Sequence, residues 1–143
     1  MNIVITYWSR YGNGKKVVET LQQKLKAKKA KVALQTTEEA DPHNMPEADI
    51  FIFSASAEAF RVQANMRKFM KQLPNMPDKK YGIINTHGMK NKNWLKSMEK
   101  ILTKKQMKKI AEIDFRVGEG QEQGEGLEEG WKDKLDSFVS QLK

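Results

Sequence analysis

The sequence predicts a doubly wound α/β domain, a three-layer sandwich whose five-stranded parallel sheet runs in the order 2-1-3-4-5 between helices on both faces. Three observations lead there. Strand-like and helix-like segments alternate along the chain. IVI, IFIF and YGII are continuous apolar runs, as in strands buried on both sides, whereas KVALQ and EIDFRV alternate apolar with polar residues, as edge strands do. Finally, 143 residues suit a single domain, here 1–143, and are too few for two of ordinary size. With the alternating strands at the edges, right-handed crossovers favour 2-1-3-4-5.

Each element has its own signal. Asn2 to Tyr7 is a short apolar strand, and Asn13 to Lys28 is a helix with Val17, Val18, Leu21 and Leu25 on one face. Ala30 to Gln35 alternates as the second strand. The turn-forming DPHNMP, residues 41 to 46, precedes the third strand, Asp49 to Ser54. Val62 to Leu73 repeats Val62, Met66, Phe69, Met70 and Leu73 at helical spacing, and Pro74 and Pro77 end it. Tyr81 to Thr86 is the fourth strand, Lys92 to Thr103 the third helix, and Ile110 to Val117 the fifth strand. Gly118 to Gly130 is rich in glycine and glutamate, and Trp131 to Leu142 closes the chain as an amphipathic helix. There is no internal repeat.

Composition narrows the chemistry. With no cysteine, disulfides, thiol catalysis and cysteine-held metal or iron–sulfur centres are excluded. No segment resembles a signal peptide, and the longest apolar block falls far short of the roughly 20 residues that span a bilayer, so a cytoplasmic protein without membrane insertion is expected. The net charge of +8 is unevenly spread. Residues 118 to 130 carry five glutamates and no base, which leaves 26 bases against 13 acids, or +13, on the rest of the chain. Such a body suits anionic partners, although lysine-rich helix faces are commonly just solvated. No nucleic-acid motif accompanies the charge, and a nucleic-acid partner is not expected.

In a 2-1-3-4-5 sheet a ligand binds outside the carboxyl ends of the first, third and fourth strands, which directs attention to the loops 8–16, 54–62 and 86–94. The first reads YWSRYGNGKK over residues 7 to 16. Ser9 and Asn13 are polar, Gly12 and Gly14 let the backbone turn and approach a ligand, and the next helix directs free N–H groups and its positive dipole end at the same place. No carboxylate lies between Trp8 and Val18. These are the needs of a phosphate cradle. GNGKK lacks the Walker spacing, and GxGxxG is also absent.

Ser9, Tyr11, Gly12, Asn13 and Gly14 match the pattern [ST]-x-[TY]-G-[NH]-[TG] of the flavodoxins. Together with the chain length, the five strands and the tryptophan-bearing last helix, the sequence resembles a short-chain flavodoxin over nearly its whole length. The resemblance implies noncovalent FMN and an electron carrier, not an enzyme, that shuttles electrons between redox partner proteins. FMN phosphate would lie in the first loop, at Ser9, Arg10, Tyr11, Gly12, Asn13 and Gly14. The isoalloxazine would lie between the second loop, with Ser54, Ala55, Ser56, Phe60 and Arg61, and the third, with Asn85, Thr86, His87, Gly88 and Trp94. Phe60 and Trp94 are candidates both for ring contact and for ordinary core packing.

Departures from the family pattern carry their own expectations. Gly14 stands where many flavodoxins have threonine, which removes one hydroxyl from the phosphate. Between Ser54 and Asn65 there is no glycine, whereas many relatives use a glycine peptide here that flips on reduction; without it the flipped backbone costs about 1 kcal/mol more, and the neutral one-electron-reduced flavin is expected to be less stabilised. Arg10, Lys15, Lys16, Arg61, Lys90 and Lys92 sit in the same three loops, so the partner is expected to present an acidic docking face and the fully reduced anion to be favoured. The alternatives are a flavin-dependent NAD(P)H or quinone reductase and a cofactor-free basic binding protein on the same fold. A receiver domain is excluded, because Thr6, Tyr7 and Ser54 occupy the places where its aspartates are needed.

Overall fold

The apolar run Ile3-Val4-Ile5 is buried on both sides, as its lack of alternation requires, and the sheet is built outward from it. The computed structural model describes residues 1–10, 12–58, 61–88, 94–118 and 126–143. Its elements are β1 (Asn2–Tyr7), α1 (Asn13–Ala27), β2 (Lys31–Thr36), β3 (Ile50–Glu58), β4 (Arg61–Val62), α2 (Ala64–Gln72), β5 (Lys80–His87), α3 (Trp94–Thr103), β6 (Lys108–Arg116) and α4 (Trp131–Ser140).

The five long strands pair in parallel in the order β2-β1-β3-β5-β6, which is the expected 2-1-3-4-5. β2 and β6 take the edges, as their alternating burial foretells. α1 and α4 cover one face through Val17, Val18, Leu21, Leu135 and Phe138, while α2 and α3 cover the other through Met66, Phe69, Met70, Trp94 and Met98. One glycine is fixed by this packing. A Cβ on Gly82 of β5 would stand 3.0 Å from Phe138 Cζ, so α4 approaches the sheet only because that position carries no side chain.

The largest difference from the sequence reading lies after Ser54. The third strand does not stop there but continues to Glu58, and β4 pairs antiparallel with it through Ala57 opposite Val62 and Glu58 opposite Arg61. Val62 therefore belongs to a strand, and the helix begins at Ala64. The run SASAE has only small and polar residues; Ala55 and Ser56 extend the strand through the ladder to β5, and Ala57 and Glu58 through the ladder to β4, which periodicity does not register. Smaller shifts are of the usual kind at element ends: β2 and β6 begin at Lys31 and Lys108, and α4 ends at Ser140.

The glycine and glutamate segment is pinned at both ends. Val117 bridges Leu127, Gly118 N–H donates to Gly126 C=O at 2.8 Å, and Glu128 N–H donates to Arg116 C=O at 3.0 Å.

Candidate functional site

β1 delivers the first loop to the carboxyl end of the sheet, where Trp8 N–H donates to Ser54 C=O at 3.1 Å and ties the loop to β3. Gly12 then takes φ 90° and ψ −9°, a left-handed conformation that glycine adopts without strain, and caps α1. Its N–H donates to Ser9 Oγ at 3.1 Å. The first intrahelical bond runs from Lys16 N–H to Gly12 C=O at 3.0 Å, so the N–H groups of residues 13 to 15 precede the ladder and have no partner inside the helix. No side chain caps this end. A side chain on Gly14 would begin 3.4 Å from Ser9 Oγ, so this glycine keeps open the space beside the hydroxyl.

Asn13 is used differently from its expected part. Its side chain is buried and its Oδ1 accepts from Gly126 N–H at 2.9 Å, so it fastens the far loop to the first turn of α1. Of the remaining first-loop candidates, Arg10 is exposed and Tyr11 lies outside the described residues.

The second and third loops meet at the carboxyl ends of β3 and β5, which pair as Ser54 with Ile84, Ala55 with Asn85 and Ser56 with Thr86. The Ser56 and Thr86 hydroxyls lie 2.8 Å apart, and Asn85 Nδ2 donates to Ala55 C=O at 3.1 Å. Three polar atoms here are buried with no partner among the described residues: Ser54 Oγ, Asn85 Oδ1 and Trp94 Nε1. A buried polar atom left unpaired costs about 1–3 kcal/mol; Ser54 Oγ lies on the α1/α4 face and Asn85 Oδ1 on the α2/α3 face, both at the carboxyl ends of their strands, where a polar ligand can satisfy them.

The other candidates are distributed as follows. His87 Nε2 lies 2.6 Å from Asp114 Oδ2 on the neighbouring strand, so the imidazole is held by β6. Gly88 is exposed, and a Cβ there would meet nothing closer than Val117 C=O at 3.7 Å, so no packing demands a glycine. The Trp94 ring is 6 % exposed and belongs to the core beneath α2 and α3. Phe60 lies outside the described residues, as do Lys90 and Lys92, and Arg61 is described only by its backbone pairing with Glu58.

One residue was missed. Gln63 is 2 % exposed and closes the β3–β4 hairpin twice, its Oε1 accepting from Ser56 N–H at 3.0 Å and its own N–H donating to Ser56 C=O at 2.9 Å. No pattern around a glutamine between Val62 and Ala64 announces this role; only the hairpin creates the demand.

The field at this end is positive. α1, α2 and α3 all begin at the carboxyl ends of strands, and none has an acid in its first turn. The Tyr7 phenol beside them is held above its ordinary pKa by burial first and by Glu19 and Glu39 second, so it stays neutral at physiological pH. A cavity of about 480 Å³ opens at the opposite pole of the sheet, among Asp49, Asp78, Lys79 and Lys80. Its polar groups are largely paired: Asp49 accepts from Asn2 N–H, Lys80 donates to Lys143 C=O and Lys79 faces Glu47. The chemistry points to the carboxyl end.

The fold is that of a doubly wound α/β protein with an uncapped helix start and polar strand ends at its switch point. The chain belongs to the flavodoxin domain family, which it matches over residues 4–125. No curated protein matches its sequence. Among solved structures it is similar to a flavodoxin of Streptococcus pneumonia TIGR4, with a TM-score of 0.81 and 19 % identity over 99 % of this chain and 97 % of that one. Flavodoxin 2 of Bacillus cereus gives 0.78 and 17 % over 99 % and 97 %. Rubredoxin oxygen:oxidoreductase of Desulfovibrio gigas gives 0.80 and 13 %, over 99 % of this chain but 35 % of that larger one. At these identities the likeness speaks for the fold.

Proposed function

We propose that the protein binds FMN at the carboxyl end of its sheet and carries electrons between partner proteins in the cytoplasm. The observation that carries this reading is the coincidence, around one switch point, of an uncapped helix end behind Gly12 with the unpartnered Ser54 Oγ and Asn85 Oδ1. The donor set fits a phosphorylated, polyhydroxylated ligand. The N–H groups of residues 13 to 15 and the Ser9 and Ser54 hydroxyls would hold the phosphate, while Ser56, Asn85 and Thr86 would hold polar groups further along. When bound, FMN supplies one- and two-electron redox chemistry.

The chain's own contribution is placement and charge. Gly12 aims the first turn of α1, Gln63 fixes the hairpin that borders the second loop, and basic residues such as Arg10 and Lys15 favour an anion. The hairpin also bears on the expectation about reduction. The segment after Ser56 is part of a ladder in which Ala57 and Glu58 pair with Val62 and Arg61, so reorienting a peptide there breaks pairing as well as adopting a conformation that suits glycine.

The test is reconstitution. One equivalent of FMN added to the purified chain should be bound with quenched fluorescence, and Ser54→Ala should weaken binding about tenfold, the loss of one charge-assisted hydrogen bond. Stoichiometric anaerobic reduction without turnover of NADPH supports a carrier; steady consumption of NADPH in the presence of a quinone makes it a reductase. A chain that leaves FMN fluorescence unchanged is a binding protein for another anion.

A further inference from the structure

The two helical layers differ in the acids set among their lysines: α1 and α4 contain Glu19, Asp133 and Asp136, whereas α2 and α3 contain only Glu99. On the α1/α4 side Lys24 pairs with Asp136 at 2.6 Å and Lys134 with Glu128 at 3.0 Å. On the other side α2 contains no acid, and the single acid of α3, Glu99, is taken by Lys109 from β6 at 2.8 Å. Lys68, Lys71, Lys100 and Lys104 remain exposed there, with no ion pair among the described residues. Their spacing works against the helices. On α2, Lys68 and Lys71 are a like-charge i,i+3 pair, and Arg67 and Lys71 a like-charge i,i+4 pair.

We infer that the exposed α2/α3 layer is the docking face for the acidic surface of a partner protein. Opposite charge relieves the mutual repulsion of these lysines, so the face gains on docking what it lacks when free. It also has little else to grip with: Met1, at the opposite pole, is the one large exposed hydrophobic side chain among the described residues. An interface of point charges without apolar anchors forms quickly, dissociates quickly and weakens with salt, which suits a carrier that must release each partner. A nucleic acid fits less well, because the described face has no exposed aromatic side chain for base stacking. That the partner is a redox protein rests on the electron-carrier reading; the acid-binding face does not.

The experiment compares two sets of four neutralisations in the full chain. Fluorescein-labelled poly-L-glutamate is titrated at low salt into FMN-treated and untreated protein carrying K68Q/K71Q/K100Q/K104Q, or K26Q/K28Q/K31Q/K132Q from the other side. The first set should weaken binding about tenfold and the second less than about twofold, since only near charges act strongly. The half-sets K68Q/K71Q and K100Q/K104Q, each weakening binding in part, guard against misfolding of the quadruple variant. Equal weakening by both sets overturns the proposal, as does undetectable binding to the unaltered chain. Tighter binding of a single-stranded oligonucleotide of equal charge, lost with the first set, also overturns it in favour of a nucleic-acid partner. Loss confined to the first set in a chain that binds no FMN leaves the face standing and removes the carrier reading. FMN binding with equal loss in both sets does the reverse.

Discussion

The two faces of the sheet are packed with different materials. Against α1 and α4 lie Ile3, Ile5, Ile50, Ile52, Val17, Val18, Leu21 and Leu135, closed by Phe115 and Phe138, with no methionine. Against α2 and α3 lie Met66, Met70, Met98 and Met107, with Met45 and Met76 at the margin, among Phe51, Phe53, Phe69, Tyr81 and Trp94. Branched side chains have few rotamers and hold a fixed shape, whereas methionine is unbranched and fills irregular space. The rigid face carries α1, whose first turn has three N–H groups ahead of its ladder. The softer face carries the helices that follow the second and third loops, where small adjustments are tolerated. One fold thus pairs a face of branched side chains beneath α1 and α4 with a methionine-rich face beneath α2 and α3.

That contrast is open to four measurements. The largest effect belongs to Phe138→Ala, which removes a fully buried ring from the stiff face and should lower unfolding free energy by about 3–5 kcal/mol in urea denaturation. Next comes Gly82→Ala, which places a methyl 3.0 Å from the same ring; a loss of about 1–3 kcal/mol is expected, and the double variant with Phe138→Leu should recover part of it. If the soft face is as adaptable as its composition suggests, Met66→Leu and Met98→Leu should each cost less than about 1.5 kcal/mol. A larger loss at either position would mean that the methionines are as closely fitted as the phenylalanines.

The smallest effect is a pH dependence shared by both faces. Burial, chiefly, raises the pKa of Tyr7 and of Tyr81 above 10.0, and the hydrogen bonds that Lys109 donates to Glu112 and Glu99 raise its own above 10.5. A folded pKa above the unfolded one gives stability that is complete below the unfolded value and is lost as pH rises through the folded value. Melting temperature should therefore be insensitive to these groups up to about pH 10 and fall above it, and Tyr81→Phe should flatten the fall. An unchanged alkaline slope in that variant would assign the loss to other groups.

Much of the site was legible because its chemistry is local. Gly12 lies between a strand and a helix, and a left-handed cap with free N–H groups behind it follows from neighbours in sequence. Ser54, Asn85 and Thr86 were placed at the carboxyl edge for a related reason: polar residues that end apolar strands mark it. Asn13 and His87 were legible as polar residues but not in their use, since Gly126 and Asp114, which hold them, lie 113 and 27 residues away. The hairpin after Ser56 and its Gln63 clamp were invisible for the same reason.

By itself the sequence determined the architecture. Apolar runs and alternating runs state how many faces of each strand must be dry, and with right-handed crossovers only a few sheet orders satisfy that demand. The tertiary structure alone decided where β3 ends, which atoms Asn13 and His87 hold, why Gly82 is a glycine and which lysines find an acid within reach. Burial pattern is written into each segment, whereas a hydrogen-bond partner, a close approach or an ion pair depends on what another segment places within a few ångströms, and that distance exists only in the folded chain.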